Sequence, residues 1–118
     1  MIADLQTIEQ QLKNNETIKG TIRCSLEVFI YRKIVRLGIL AATEKRLIFC
    51  ADSITGNELN ESFEYVNMED IQLKQGMLNQ YIAIKYKKDT LKFKQITSEN
   101  VEDFITKIKS YNSLRLDV

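Results

Sequence analysis

The 118-residue chain contains no histidine, no proline and no tryptophan, and it has only two cysteines. Histidine is the most common general base and metal ligand, and it is the only side chain that titrates near neutral pH without perturbation. Two cysteines in a chain of this length do not make the disulfide framework of a small secreted domain. We therefore expect no enzymatic activity, no bound metal and no cofactor.

The chain also lacks any run of apolar residues long enough to span a membrane, and its first residues carry neither the basic start nor the apolar centre of a signal peptide. Its 17 basic and 16 acidic residues nearly cancel, so the overall charge does not favour a nucleic-acid partner. A length of 118 residues suits one domain. The sequence predicts a single cytoplasmic domain over residues 1–118.

Apolar residues recur with helical spacing near both ends of the chain and with a period of two between them. This pattern predicts an N-terminal helix at residues 2–13, a barrel at 16–96 and a C-terminal helix at 98–111, with a loosely packed tail from Ser113. The predicted strands are residues 17–30, 37–43, 46–51, 58–66, 71–73, 81–86 and 90–96, and the main turns between them are 32–36, 44–45, 67–70 and 87–89.

Short turns between consecutive strands favour antiparallel pairing. The predicted fold class is mainly β with flanking helices: a seven-stranded antiparallel barrel or sandwich capped by the C-terminal helix, with a short N-terminal helix. The strand at residues 46–51 is apolar on both faces, which predicts a central position in the sheet. The residues of the C-terminal helix expected to enter the core are Val101, Phe104, Ile105 and Ile108.

Residues 38–49, with the sequence GILAATEKRLIF, resemble the hairpin between the second and third strands of bacterial pleckstrin-homology-like (PH-like) domains, most closely the YokE-like domains of Gram-positive bacteria. Residues 63–65 and the hairpin at 76–93 are similar to later parts of that family, and the resemblance covers about residues 15–111. It implies a PH-like barrel whose first, third and sixth inter-strand loops open at one end. It implies no activity, because the PH fold serves lipid binding, peptide binding and assembly alike.

Basic residues are concentrated in two of the predicted turns. If these turns open at the same end, as the resemblance implies, they can gather the phosphate oxygens of an anion or of an acidic lipid. The alternative is an ordinary pair of solvated hairpin tips, in which lysines also prevent edge-to-edge aggregation. The candidate anion-binding or lipid-binding residues are Arg32, Lys33, Arg36, Lys87 and Lys88.

Phe29 and Tyr31 lie at nominally outward positions of the first strand, next to Val35 in the predicted turn, and these three are the candidate interface residues. Exposed aromatic residues on a strand indicate an interface with another protein or with a second copy. The alternative is a strongly bent strand that buries both of its faces where the barrel closes.

The other chemistry-bearing residues favour structural roles. Cys24 and Cys50 lie inside predicted strands among apolar neighbours, which is typical of buried structural cysteines. Residues 52–70 contain six acids and no base, and residues 74–94 contain six lysines and one acid. The acidic stretch is interpreted as a solvated face or as an acidic docking surface.

These observations predict a non-catalytic binding or scaffolding module that acts through protein–protein contacts, either with an unidentified protein or with further copies of itself. The alternative is peripheral binding of anionic lipid at the inner face of the membrane, through the basic loops at the mouth of the barrel.

Overall fold

A computed structural model describes residues 5–29, 33–52, 60–77, 79–97 and 100–116, and for residues 5, 28–29, 33–35 and 112–116 it describes the backbone alone. Its elements in chain order are α1 (Leu5–Glu9), β1 (Ile18–Phe29), β2 (Lys33–Thr43), β3 (Arg46–Ala51), β4 (Asn60–Glu64), a 3-10 helix (Tyr65–Asn67), β5 (Met68–Gln75), β6 (Gln80–Tyr86), β7 (Asp89–Lys94) and α2 (Val101–Leu116).

The strands form one antiparallel sheet in the order β4-β3-β2-β1-β7-β6-β5. The sheet folds over so that its two halves face each other across the main core. Phe93 of β7 lies 6.0 Å from Phe49 of β3 and 6.1 Å from Phe63 of β4, measured between ring centroids. The predicted fold class, a seven-stranded antiparallel PH-like barrel with flanking helices, is confirmed.

Helix α2 closes one end of this barrel. Its four predicted core residues, Val101, Phe104, Ile105 and Ile108, are all buried in the main cluster. The helix also extends beyond residue 111 to Leu116, so the backbone of the tail from Ser113 is helical as far as that residue, and its weak docking stays a prediction. The Tyr111 ring stacks on Tyr65 at 6.0 Å, and this contact holds the helix against the barrel near residue 111, past the last predicted core position.

The prediction that β3 is central is also wrong, since β3 is second from the edge of the sheet. Both of its faces are nevertheless buried. Ile48 and Cys50 point away from the main core, and they form a second small cluster with Ile8 of α1. The apolar residues on the outward face of β3 therefore reflect the cover supplied by the N-terminal segment.

Three predicted boundaries differ from the structure. Helix α1 ends at Glu9, not at residue 13, because the amides of Gln11 and Leu12 bond to carbonyl oxygens three residues back, in tighter turns than those of an α-helix. Residues 33–36 belong to β2 because its ladder with β1 continues to the Phe29–Lys33 pair, although their charges suggest a turn. Likewise β5 begins at Met68, which is buried, within the turn predicted at 67–70.

Replacing Phe104 with Ala should lower the free energy of unfolding by about 3–5 kcal/mol, because the ring is 1% exposed and its removal leaves a cavity between α2 and β1. Urea unfolding followed by circular dichroism measures the loss. Ser110→Ala on the exposed side of the same helix is the control and should change stability by less than about 0.5 kcal/mol. Equal stability of the two variants would contradict the position of α2 in the core.

Candidate functional site

The polar cluster at the β2–β3 turn is the first candidate, because it contains a buried carboxylate. Glu16 is 5% exposed and forms a two-armed ion pair with Arg46, with Nε to Oε2 at 2.9 Å and Nη2 to Oε1 at 3.0 Å. The Thr43 hydroxyl donates to Oε2 at 2.8 Å, and the Lys13 amide donates to Oε1 at 3.0 Å. Both carboxylate oxygens of Glu16 are thus fully engaged.

Burial by itself would raise the pKa of Glu16. The hydrogen bonds from Arg46, Lys13 and Thr43, together with the charge of Arg46, outweigh this effect and lower the pKa to about 2. A carboxylate that is ionised at every physiological pH and has no free oxygen does not serve as a general acid or base. The cluster formed by Glu16, Arg46, Thr43 and Lys13 is therefore structural, and we call it the lock.

Two residues of the lock, Thr43 and Arg46, belong to residues 38–49, the segment that carried the family resemblance, and the polar residues of this segment shape the hairpin. The Thr43 hydroxyl accepts the amides of Lys45 and Arg46, both at 3.1 Å, and so shapes the turn. The Glu44 carboxylate accepts the amide of Thr17 at 3.1 Å. Gly38 is required earlier in the segment, because a Cβ at this position would lie 2.2 Å from the carbonyl oxygen of Cys50. These residues build the hairpin and offer no groups to a ligand.

The second candidate is an open cavity of about 450 Å³, which we call the barrel mouth. Contributions come from β1, β4 and β7, and the lining residues are Leu26, Glu27, Glu61, Phe63, Asp89, Thr90, Leu91 and Lys92. Helix α2 packs beside Gly20, near the start of β1. Leu26 is six strand residues further on, roughly 20 Å away. The barrel mouth therefore lies at the end of the barrel opposite to α2.

The mouth has an apolar floor and an acidic rim. Leu26 and Phe63 are buried, and Leu91 packs against the same cluster. Glu61 and Asp89 are exposed at the rim. Among the residues that the structure describes, the lining contains three carboxylates and one ammonium group. One of these carboxylates, Glu27, pairs with Lys94 at 2.8 Å.

Sequence reasoning missed the acidic side of the mouth. It noted one acid among the lysines of residues 74–94, which is Asp89, whereas Glu61 also lies at this end. The signal was available in the alternation, because Glu61 is two residues from Phe63 and so shares its core-facing side of β4. Glu16 was missed as well, and no local pattern marks it, since its partner is 30 residues away.

The predicted anion-binding residues are only partly described. Lys87 and Lys88 are exposed in the β6–β7 turn, and Lys87 has a φ of 57° with its Nζ 5.7 Å from the centre of the Tyr86 ring. Arg36 was predicted in a loop, but it lies half-buried in β2 opposite Leu26. Lys33 begins β2, described by its backbone alone, and Arg32 lies outside the described residues.

The strand register nevertheless brings the two turns to the same end of the sheet. Strands β1 and β7 pair antiparallel from Ser25–Lys94 to Glu27–Lys92, so β1 ends where β7 begins. Of the predicted interface residues, Phe29 and Val35 are described by backbone only, paired with Lys33 and Glu27 respectively, and Tyr31 lies outside the described residues. The interface assignment stays a prediction.

Both cysteines are free and buried. Burial raises the pKa of Cys24 to about 12, against a smaller lowering by the charge of Arg23. Burial also raises the pKa of Cys50, whose Sγ accepts a hydrogen bond from the Gln11 side chain at 2.9 Å. The thiolate forms are disfavoured, and the geometry agrees with the predicted structural role of both residues.

Within the described ranges, no three histidine, cysteine, aspartate or glutamate side chains are grouped so that they could bind a metal ion together. None of the helices in this part of the chain has the length and hydropathy needed to cross a membrane.

Comparisons with known proteins agree with the fold. A sequence model described as "Bacterial PH domain" matches residues 12–110. The C-terminal domain of an unknown protein from Leishmania infantum is 21% identical, with a TM-score of 0.66 over 82% of this chain and 84% of that one. The Vps36 N-terminal PH domain is 17% identical, with a TM-score of 0.70 over 91% of this chain and 86% of that one. No curated protein matches the chain. At these identities the two structures show a shared fold alone.

Replacing Glu16 with Gln should destabilise the protein at neutral pH by about 3–5 kcal/mol, because it leaves the buried Arg46 charge without its counter-ion. The pKa of Glu16 is lowered in the folded state, so the ion pair stabilises the fold above about pH 4.5, and this stability is lost as the pH falls towards 2. Urea unfolding at pH 7 and at pH 3 should therefore show a smaller difference between variant and wild type in acid. Glu44→Gln, at an exposed hydrogen bond, is the control; a difference that stays constant with pH would contradict the lock.

Proposed function

Because the chain belongs to the bacterial PH domain family, we propose that it is a non-catalytic binding module that acts in the cytoplasm through protein–protein contacts. The family is generally one of binding modules, which bind either proteins or lipids. The choice between these two classes of ligand rests on the chemistry of this chain's own surfaces.

The composition of the barrel mouth is the observation that carries the proposal. Its floor is apolar, and its rim holds the carboxylates of Glu61 and Asp89. A phosphate placed in this cavity meets like charges, which disfavour its binding. An apolar side chain flanked by lysine or arginine finds a matching floor and a matching rim, so a protein segment of this kind is the ligand that the mouth favours.

The strength of such binding follows from the size of the mouth. Burial of one side chain of the size of leucine against the floor contributes about 1.5–3 kcal/mol. Each exposed ion pair at the rim adds about 0–1 kcal/mol. Part of this gain offsets the entropy lost on association. A module with these energies binds weakly and reversibly, as suits a scaffold that combines several contacts or several copies of itself.

Peripheral binding to anionic lipid at the inner face of the membrane is the second candidate. It is favoured by the register that brings the β1–β2 connection and the exposed Lys87–Lys88 turn to one end of the sheet. Each basic residue near an anionic membrane adds about 1 kcal/mol. The carboxylates of Glu61 and Asp89 at the same end oppose this attraction, which places the candidate second.

Selection of a random displayed peptide library on the purified domain should enrich sequences in which one large apolar residue is flanked by Lys or Arg. Glu61→Lys should weaken binding of the enriched peptide at least about tenfold, since it reverses a rim charge at the cavity. Isothermal titration calorimetry with the synthetic peptide measures the change.

Glu64→Lys is the matched control, because Glu64 lies in the same strand but outside the lining of the mouth. This variant should bind the peptide within about twofold of wild type. Enrichment of acidic peptides, or equal binding by the two variants, would contradict the assignment of the mouth.

Co-sedimentation with lipid vesicles separates the second candidate from the first. We expect the wild-type domain to bind phosphatidylglycerol vesicles no better than phosphatidylcholine vesicles at about 0.15 M salt, because the rim carboxylates offset the basic turns. The control is a variant with Arg32, Lys33, Lys87 and Lys88 replaced by Ser, which should keep the wild-type melting temperature within a few degrees. Strong binding to the anionic vesicles that this variant loses would favour the membrane function.

A further inference from the structure

The outward face of the β5–β7 half of the sheet carries most of the lysines of residues 74–94. Lys74, Lys85, Lys92 and Lys94 alternate with core residues such as Ile82, Ile84 and Phe93, so all four lie on this side. We call this surface the lysine face. The corresponding side of β3 is covered by α1, whereas Lys74 and Lys85 are exposed.

The centre of the lysine face is hollow. A depression of about 260 Å³ lies around Ala83, and its lining residues are Asp70, Gln72, Lys74, Ala83, Lys85 and Thr90. Lys94 is paired with Glu27, but Lys74 and Lys85 form no ion pair with any residue that the structure describes. One carboxylate, that of Asp70, sits in the depression opposite Lys85 in the strand register. The small Ala83 side chain therefore has exposed ammonium groups on both sides.

The same chain carries a surface of opposite charge at residues 64–69, which we call the acidic bend. It joins β4 to β5 through the 3-10 helix. Glu64 and Glu69 are exposed there, and Val66 between them is 59% exposed. An apolar side chain flanked by two carboxylates is complementary to an alanine depression flanked by two ammonium groups.

We propose that the lysine face is the docking site for the acidic bend of a second copy of this chain, with Val66 over Ala83 and the two glutamates beside Lys74 and Lys85. The proposal rests on the protein-contact function proposed above, but its contact residues Lys74, Ala83 and Lys85 are not part of the lining of the barrel mouth. It identifies the partner by charge complementarity, since one chain supplies both halves of the contact.

The contact forms between molecules and not within one. Asn67, in the bend, accepts the amide of Lys87 at 3.0 Å, which fixes the bend beside the β6–β7 turn. Gln72, which pairs with Ala83, is four strand residues from Met68, or roughly 13 Å along β5. Val66 therefore does not reach the depression of its own molecule. The lysine face and the acidic bend are different surfaces, so each molecule can bind one neighbour through each of them. Such contacts give a reciprocal dimer, a closed ring or an open chain of molecules.

Charge-swapped variants test this pairing directly. The first variant reverses the lysine face (Lys74→Glu with Lys85→Glu), and the second reverses the acidic bend (Glu64→Lys with Glu69→Lys). Sedimentation velocity over a concentration series at about 0.05 M salt measures association. We expect the wild type to associate with increasing concentration, each variant alone to stay monomeric, and an equimolar mixture of the two variants to associate again.

The association of the wild type should also disappear at about 0.5 M salt, where charges are screened within a few ångströms. A wild type that stays monomeric throughout, or a mixture that does not restore association, overturns the proposal. Circular dichroism establishes that each variant is folded. The control is Glu9→Lys with Lys109→Glu, which changes exposed charges outside the lysine face, the acidic bend and the barrel mouth and should associate like the wild type. If the wild type does not self-associate but still binds the selected peptide at the mouth, only the self-association proposal is overturned. If it neither self-associates nor binds the peptide, the proposed protein-contact function is overturned as well.

Discussion

The ion pair between Glu16 and Arg46 is the interaction on which the rest of the architecture depends. It forms in a nearly water-free setting, where the Arg46 side chain is 11% exposed and that of Glu16 is fully buried. A buried charge is costly unless its partner and its hydrogen bonds are all in place. The lock therefore fixes the position of Glu16 at the β2–β3 turn. The N-terminal segment that leads to Glu16 places Ile8 against the outward face of β3.

The C-terminal end of the domain is tied to the same turn by a second route. The Tyr65 hydroxyl donates to the carbonyl oxygen of Thr43 at 2.7 Å, and the Tyr65 ring stacks on Tyr111 of α2. Thr43 also donates to Glu16. The β2–β3 turn thus holds the N-terminal segment, the bend between β4 and β5, and the closing helix. One consequence is that α2 is fixed at one end of the barrel, and the mouth lies at the opposite end.

The sequence predicted those elements whose cause is local. Strand β3 has the predicted bounds, and α2 buries the four residues that its helical spacing selects. The parts that could not be predicted depend on distant partners. The apolar residues on both faces of β3 indicated a central strand. The sequence of residues 46–51 does not reveal that Ile8, almost 40 residues earlier, covers the outward face. The charges of residues 32–36 indicated a turn. In the structure residues 33–36 instead continue β2, because they pair with β1.

The same distinction applies to the candidate site. The basic turns were visible as local clusters, but the acidic rim is assembled from β4 and β7, which lie 28 residues apart between Glu61 and Asp89. A net charge of +1 conceals this arrangement, since it averages an acidic mouth and bend with a basic sheet face. Local charge at each surface, and not the net charge, decides which ligand is attracted at short range.

The hairpin at residues 38–49 carried the family resemblance, and three of its polar side chains form bonds within the fold. Thr43 shapes the turn, Glu44 holds Thr17, and Arg46 neutralises Glu16. Side chains that form these internal bonds cannot bind a ligand unless the bonds are first broken. Resemblance in this segment therefore predicts a shared barrel and leaves the ligand open. Binding chemistry has to come from surfaces that the lock positions but does not use, which in this chain are the barrel mouth and the lysine face.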